Sequence, residues 1–517
     1  MGGEEAKHEC GIAAVYIKEN GDSANKALFY LYKMLLNLQH RGQLSAGITT
    51  YNKERAQLID TYKEIGTVNE VFKTNDKSKS VEIFKRYAGN KGIGHVRYAT
   101  FGAEEKSYAQ PFERHHGRMW KWFAFCFNGN LVNYPQLKKA LISKPGYHMV
   151  LDTDTEIIMH YMARELMGPV KPNLTKVFNN LSRKFDGAYN IMFMNAYGDL
   201  AIVRDHLGIR PLCYGIKNGM LLAASESNAL INCGIDDVKS LEPGKMITVK
   251  NGNIEIKRYA KCKRKAHCMF EWVYFAHVSS VLNGRSVYLA RVRLGKELAK
   301  LESEKITKDH IVVPVPDTAK AAGDAFAYEL GIPSVEGLIR NRYIGRTFIE
   351  GESREDKVQN KYTALRQVLK GKKVLLVDDS IVRGTTSKQI IRYLKKIGGA
   401  KEVHVRVSCP PIKAPCFYGI DMSTLHELLA PHYEKELDPR KIDKKICAKI
   451  ASDLGADSLI YNTVDGLVRA IGLPRNNLCL ACLTGHYPTS AGIKTFKEEQ
   501  ERFKKGIRTN RRSYECG

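Results

Sequence analysis

Long apolar runs are missing from this chain of 517 residues. None reaches the eighteen or so residues that a membrane-spanning helix needs, so no such helix and no membrane partner are expected. The first ten residues, from Met1 to Cys10, are polar and lack the apolar core of a secretory signal, which points to a cytoplasmic protein. Acidic residues are short of basic ones, 55 Asp and Glu against 81 Lys and Arg, leaving a formal charge of +26. Such an excess suits nucleic acid, an anionic membrane surface or anionic small ligands. The basic residues are spread along the chain, with denser runs at 261–265, 440–449 and 494–512, and most of them fit a solvated surface. No helix-turn-helix or zinc-finger pattern and no internal repeat is present, so no nucleic-acid partner is expected. Cysteine is not scarce, at twelve residues. A reducing compartment argues against disulfides, and the spacing of Cys479 and Cys482 suggests a metal or redox role instead.

A chain of this length exceeds one hydrophobic core, and two or three domains are expected. Up to about residue 255, short β-like runs dominate, at 11–17, 191–195, 200–204, 221–224 and 246–249, with helical patterns at 27–38 and 155–165. That mixture predicts an α+β arrangement of stacked sheets between helices. The basic stretch 257–265 has the composition of a linker. Beyond it strand and helix alternate, at 311–315, 319–330, 374–377, 387–397 and 403–407, which predicts an α/β domain with a parallel sheet. Residues 494–517 are polar and fit a surface helix or a mobile tail.

The most informative stretch is 374–386. Val374, Leu375, Leu376 and Val377 form a buried strand, and Asp378, Asp379, Ser380, Ile381, Val382, Arg383, Gly384, Thr385 and Thr386 follow it. A helical pattern comes next, with Ile390, Ile391, Leu394 and Ile397 on one face and Gly398-Gly399 as its stop. Strand, loop and helix in that order put the loop at the carboxyl edge of a parallel sheet, where such folds bind ligands. Gly384, Thr385 and Thr386 can donate to a phosphate at the helix N-terminus. Asp378 and Asp379 repel a phosphate but suit ribose hydroxyls or a ligand-borne Mg²⁺. Phosphate, sugar diol and metal together suggest a phosphoribosyl diphosphate, and the stretch resembles the signature of the type I phosphoribosyltransferases.

In the first half, several motifs occur in a fixed order. His8-Glu9-Cys10-Gly11-Ile12 opens the first strand. Then come Gln39-His40-Arg41-Gly42-Gln43, Gly94-His95-Val96-Arg97-Tyr98 and Asn128-Gly129-Asn130. Thr153-Asp154-Thr155-Glu156, the run from Arg204 to Leu212, and Ala224-Ser225-Glu226-Ser227 complete the series. In order and spacing these resemble the glutaminase domain of the N-terminal-nucleophile amidotransferases. Hydrolysis of the glutamine side-chain amide needs a nucleophile, a base, an oxyanion hole and a clamp on the amino-acid end. The resemblance implies that Cys10 is the nucleophile and the first residue of the mature chain, residues 1–9 being a propeptide. Its α-amine, with a pKa of roughly 7.7–8.0, suits a base that takes and returns a proton. Asn128 and Gly129 suit the oxyanion hole. Arg97 suits the α-carboxylate of glutamine and Asp154 its α-ammonium, while Arg41 orders the surrounding loops. Most relatives carry an acid after His-Arg-Gly-Gln; here Leu44 stands there, and a packing change is expected.

In the second half, Thr318 follows a strand at a turn that opens a helix and is placed to help a metal or phosphate. Arg342 and Arg346 lie among glycine and aromatics, as in a flexible loop that closes over a diphosphate and excludes water. From about Glu9 to Pro488 the chain resembles the glutamine phosphoribosylpyrophosphate amidotransferase family. The resemblance implies synthesis of 5-phosphoribosylamine from phosphoribosyl diphosphate, glutamine and water, with glutamate and diphosphate released, as the first step of de novo purine biosynthesis. It also implies a protected route for ammonia between the sites, a homo-oligomer (a tetramer among relatives) and Mg²⁺ as cofactor. In the branch of the family that carries a [4Fe–4S] cluster, the ligands match Cys268, Cys416, Cys479 and Cys482. Four thiolates suit Fe–S or zinc alike, and it is the resemblance that favours iron. Cys409, Cys447 and Cys516 match no ligand position. The implied domains are a glutaminase domain over 10–255, a phosphoribosyltransferase domain with the cluster ligands over 256–490, and a polar basic tail over 491–517. A phosphoribosyltransferase-fold DNA-binding repressor would leave the glutaminase half unexplained, and a glucosamine-phosphate synthase would not need Asp378 and Asp379.

Overall fold

Alternating apolar residues build the first half from two antiparallel sheets packed face to face. The computed structural model describes residues 10–18, 26–98, 105–341, 362–422, 424–433 and 443–508. The seven-stranded sheet runs Lys239–Ser240, Cys213–Lys217, Met220–Ala224, Gly11–Ile17, Lys91–Arg97, Ser45–Tyr51, Ile59–Ile65. The six-stranded sheet runs Asn253–Arg258, Lys245–Lys250, Leu200–Arg204, Gly187–Asn195, Phe123–Leu131, Phe112–Arg114. Successive residues of a strand face opposite ways. Ile12, Ala14 and Ile93 from one sheet therefore meet Ala124, Cys126, Met192 and Ile202 from the other in one buried layer. Ala13 and Val15 turn outward onto the helix Ala27–Asn37, which buries Leu28, Leu31, Met34 and Leu35 against them. Phe123, Phe125, Ile191 and Phe193 turn outward the other way, onto the helices Tyr134–Ile142, Asp154–Glu165 and Leu174–Ser182. The result is four layers, helix, sheet, sheet, helix, as the α+β expectation required.

The second half holds a four-stranded parallel sheet in the order His310–Pro314, Lys373–Asp378, Glu402–Val407, Ser458–Tyr461. Val312, Leu375 and Val377 pack towards the helix Lys320–Leu330. Val313, Val374 and Leu376 share the opposite core with Ile390, Ile391 and Leu394 of the helix Thr385–Lys396. A strand buried on both faces reads as a continuous apolar run, which is why residues 374–377 were legible as one.

Between the halves, His267–Cys268 pairs in parallel with Leu478–Cys479, so residues about two hundred apart meet at the junction. The stretch expected to be a linker at 257–265 begins inside the strand Asn253–Arg258. The polar C-terminal stretch, expected as a surface helix or a mobile tail, opens as the helix Ser490–Lys504, docked on both halves. The Asp186 carboxylate accepts from Ser490 Oγ at 3.1 Å and from the Ala491 N–H at 3.0 Å, and Glu499 is buried where it accepts from Leu425 N. Among the described residues no helix is long and apolar enough to cross a membrane.

Two candidate sites and the junction between them

The first candidate site opens at one end of the layer between the two antiparallel sheets. Cys10 precedes the Gly11–Ile17 strand with the same parity as Ile12 and Ala14, and so belongs to the inter-sheet side. Arg97 ends the Lys91–Arg97 strand with the parity of Ile93, and Asn128 continues the parity of Ala124 and Cys126. The structure thus brings Cys10, Arg97 and Asn128 to one rim. Asp154 arrives from the first turn of the Asp154–Glu165 helix, which Thr153 caps by accepting from Glu156 N. Burial pushes the Cys10 thiol up; a backbone hydrogen bond from Tyr98 and the Arg97 guanidinium pull it down, and Asp154 pushes it up again, with a net rise. Asp154 Oδ2 accepts from Leu131 N at 3.4 Å, and Arg97 stacks over the Tyr108 ring at 5.4 Å. Asn128 Nδ2 lies 3.4 Å from Ser225 Oγ, which also accepts from the Ile12 N–H at 3.1 Å. Gly129 has φ +151, and a Cβ there would stand 1.9 Å from the Ala188 carbonyl oxygen, so no other residue fits.

Arg41 lies behind this rim. Its Nε donates to the Cys10 carbonyl at 3.3 Å, and its other nitrogens pair with Glu226 and Glu271. Gly42 follows because the chain runs against the Arg97 backbone, 2.6 Å from where a Cβ would be. Leu44, the departure from the family pattern, is partly exposed and holds the same neighbour, its N–H donating to the Arg97 carbonyl at 2.9 Å.

The second candidate site is the carboxyl edge of the parallel sheet. Asp378 ends its strand, and Asp379 is buried and hydrogen-bonded by both Thr318 Oγ1 and Ser380 Oγ. Gly384, at φ 78, caps the N-terminus of the Thr385–Lys396 helix and presents Thr385 and Thr386 in its first turn. Thr318, Asp378, Asp379 and Ser380 therefore come together at this edge, beside the N-terminus that Gly384 opens. Arg383 turns elsewhere: it pairs with Glu427 and donates to the Asp421 carbonyl. Arg342, Arg346 and Cys516 lie outside the described residues, as does the 1–9 segment.

Cys268, Cys416, Cys479 and Cys482 line one pocket with Ile209, Arg210, Phe270 and Tyr418. Burial pushes all four thiols up, and each feels at least one of the other three or the Arg210 guanidinium. Backbone N–H groups are aimed at three of the sulfurs, from Phe270 to Cys268, from Tyr418 and Ile420 to Cys416, and from Ala481 to Cys479. Convergent buried thiols with N–H donors on the sulfur fit a thiolate-bound metal or cluster. A separate group, Glu304, His310 and His404, has ligand-type atoms within 4.8 Å of one another. It sits towards the amino end of the parallel sheet, away from Asp378. His310 Nδ1 accepts from the Thr307 N–H, so its Nε2 carries the proton, and His404 is held by Ser458 and Glu402. These contacts satisfy His404, whereas His310 Nε2 is buried without a partner among the described residues.

The motifs at 204–212 and 224–227 include Arg210 and Glu226 without giving them a role, and Glu271 lies outside them, yet all three are buried charges at the junction. His40 Nε2, Arg41 Nη1, Ser280 Oγ and the His277 N–H converge on Glu226. The loop 205–210 that delivers Arg210 is shaped by Asp205, whose carboxylate accepts from the N–H groups of Leu207, Gly208 and Ile209. Pairing of residues 41, 226 and 271 is a long-range fact, and no local pattern announces it.

A thiol at the mouth of a double antiparallel sheet, joined to an acidic loop on a parallel sheet, defines a glutamine amidotransferase fused to a phosphoribosyltransferase. Residues 82–240 match the glutamine amidotransferase domain and residues 287–416 the phosphoribosyl transferase domain. The chain is 38% identical to the amidophosphoribosyltransferase of Methanothermobacter thermautotrophicus, over 95% of this chain and 96% of that one. It is 40% identical to that of Methanocaldococcus jannaschii, over 94% and 98% of the two chains. A structure of glutamine phosphoribosylpyrophosphate amidotransferase from Bacillus subtilis, complexed with ADP and GMP, superposes with a TM-score of 0.80 at 35% identity, covering 93% of this chain and 98% of that one. The chain belongs to the amidophosphoribosyltransferase family.

Proposed function

We propose that the residues gathered at the two edges carry the family's reaction: glutamine, phosphoribosyl diphosphate and water give 5-phosphoribosylamine, glutamate and diphosphate, the first step of purine biosynthesis. One observation supports this most. The loop 408–422 joins the sites: Ser408 N and Cys409 N donate to the carbonyls of Asp378 and Asp379, and the Phe417 carbonyl accepts from Asn130 Nδ2, two residues beyond Asn128. Ammonia released at Cys10 thus has its acceptor site at the other end of one loop.

Cys10 Sγ attacks the glutamine carboxamide carbon. Its proton passes to the Cys10 α-amine, once residues 1–9 have been removed, and then to the departing ammonia. Asn128 Nδ2 and the Gly129 N–H stabilise the oxyanion, Arg97 holds the α-carboxylate, Asp154 holds the α-ammonium, and Arg41 fixes the Cys10 backbone. Water then hydrolyses the thioester to glutamate. At the second site the Thr385 and Thr386 turn, with Ser380, Gly384, Arg342 and Arg346, receives phosphate oxygens. Arg383 joins them with the guanidinium nitrogens that its Nη2 contacts to Glu427 and Asp421 do not use. The oxygens of Thr318, Asp378 and Asp379 suit Mg²⁺, which when bound neutralises the departing diphosphate. Cys268, Cys416, Cys479 and Cys482 hold the [4Fe–4S] cluster. The reaction includes no redox step, so the cluster serves to tie the Leu478–Thr484 region to the junction. The protein acts in the cytoplasm as a homo-oligomer, a tetramer.

Purified protein with phosphoribosyl diphosphate, Mg²⁺ and either glutamine or ammonia tests this. Cys10→Ala should abolish glutamine-dependent diphosphate release and leave the ammonia-dependent rate largely intact, and the wild-type chain should have Cys10 as its first residue by mass spectrometry. Equal loss of both rates would overturn the division of labour.

A further inference from the structure

The buried charges at the junction form one line of contacts from the nucleophile to the four-thiol pocket. Arg41 Nε holds the Cys10 carbonyl at 3.3 Å. Arg41 Nη2 and Nη1 grip the two Glu271 oxygens at 2.9 and 3.2 Å, and Nη1 also meets Glu226 at 2.5 Å. Arg210 Nη1 lies 3.5 Å from the same Glu271, its Nε donates to the Tyr418 carbonyl at 3.0 Å, and its guanidinium lines the thiol pocket. All four charged side chains are 2% exposed or less. Two guanidiniums thus face two carboxylates, with His40 beside Glu226. Glu226 is also engaged by His40, Ser280 and the His277 N–H, whereas Glu271 is the carboxylate shared by both arginines.

We propose that Glu271 is a positioning residue for glutamine hydrolysis: it holds Arg41 on the Cys10 carbonyl and ties that contact, through Arg210, to the loop carrying Cys416 and Tyr418. The proposal rests on Cys10 being the nucleophile. Replacing the carboxylate with an amide keeps the shape but removes the charge that two guanidiniums share. Arg41 then keeps its pairing with Glu226 but loses the two contacts to Glu271, and its hold on the Cys10 backbone loosens. The glutaminase half thereby depends on how the thiol-pocket loop is seated, while the phosphoribosyl site does not depend on Glu271.

The test compares the full chain with Glu271→Gln and Glu271→Asp. For Glu271→Gln, the glutaminase kcat is expected to fall about tenfold or more, the scale of effect that small misplacement of a reacting group produces. The KM for glutamine should hold within about twofold. Ammonia-dependent diphosphate release and the metal content per chain should match the wild type, and alkylation of Cys10 by a glutamine-analogue chloroketone should slow with kcat. Glu271→Asp should recover part of both rates. An unchanged glutaminase rate overturns the proposal, as does joint loss of both activities or loss of metal, which would mark a support of the fold only. If Glu271→Gln does not fold, Arg210→Lys keeps the charge and loses the fork. It should show the same split between the two activities, and wild-type glutaminase in it overturns the proposal. Glutaminase activity in Cys10→Ala would instead remove the premise about the nucleophile.

Discussion

In the proposed oxyanion hole, Asn128 and Gly129 would serve one reaction for two different physical reasons. Asn128 contributes a side-chain donor, steadied by Ser225 Oγ, which is itself fixed by the Ile12 N–H. Gly129 contributes a backbone donor in a conformation, φ +151, with the Ala188 carbonyl where a side chain would start. Asn128→Ala should therefore leave the fold intact and lower the glutaminase kcat about 10²–10³-fold, the usual cost of one oxyanion donor. Gly129→Ala should do more: about 1–3 kcal/mol of backbone strain is expected from the conformation alone, and the clash displaces the strand as well. Urea unfolding alongside glutaminase assays separates the two, and an Asn128→Ala variant with wild-type kcat would remove that side chain from the oxyanion hole.

At the scale of elements, the loop after Lys373–Asp378 lies between the end of a buried strand and the start of the helix Thr385–Lys396. Asp379 is kept by Thr318, which comes from a different strand-to-helix turn, so two neighbouring turns of the sheet edge share one carboxylate. The double variant Asp378→Asn, Asp379→Asn should lose diphosphate release with either nitrogen source while basal glutamine hydrolysis persists. The sheet strands stay buried, and only the charge proposed to face Mg²⁺ and ribose is gone. Diphosphate release at the wild-type rate would contradict that assignment.

At the scale of the molecule, the junction joins the two halves through buried charges. Burial alone would raise the Glu226 carboxyl, but His40 and Arg41 outweigh it and hold it well below the ordinary carboxylate range. A depressed carboxylate stabilises the fold above its unfolded value of about 4.3, and the contribution is lost as pH falls through the folded value. His40 is the reverse: Glu226 outweighs burial and raises it, so its contribution is complete below about 6.5 and fades as pH rises through the folded value. The His40 side chain keeps 30% exposure, so solvent screens its share and the acid limb should dominate. Melting temperature against pH should fall below about pH 4, and Glu226→Gln should flatten that limb while lowering the plateau. An acid limb identical in the variant would refute the assignment. The thiol pocket is the second tie. Anaerobically purified protein should contain about four iron per chain and absorb broadly in the visible. Cys479→Ser should lose iron and melt lower, because Cys479 lies in the short strand paired with Cys268. Stoichiometric zinc with no iron would favour a structural zinc site instead.

Local order was legible wherever chemistry is local. Residues 11–17 and 200–204 have the predicted strand bounds, and the helix expected at 27–38 spans Ala27–Asn37, because strand alternation and helical period are written in neighbouring residues. The signature at 374–386 is local too, since strand, acidic loop and helix are consecutive. The strands Ser45–Tyr51 and Lys91–Arg97 are not announced locally, because glycines, threonines and charged residues interrupt their apolar pattern, whereas Phe123–Leu131 opens on five consecutive apolar residues and was legible but overlooked. Sequence by itself determined the two fold classes, the motif residues and the presence of four candidate thiol ligands. Tertiary structure alone decided that Cys268 lies beside Cys479, that Arg383 turns to Glu427, and that Arg41 reaches Glu226 and Glu271 across the junction. Those pairings join residues between 44 and 230 positions apart. A buried charge must find its partner wherever packing delivers one, and packing is a property of the whole chain.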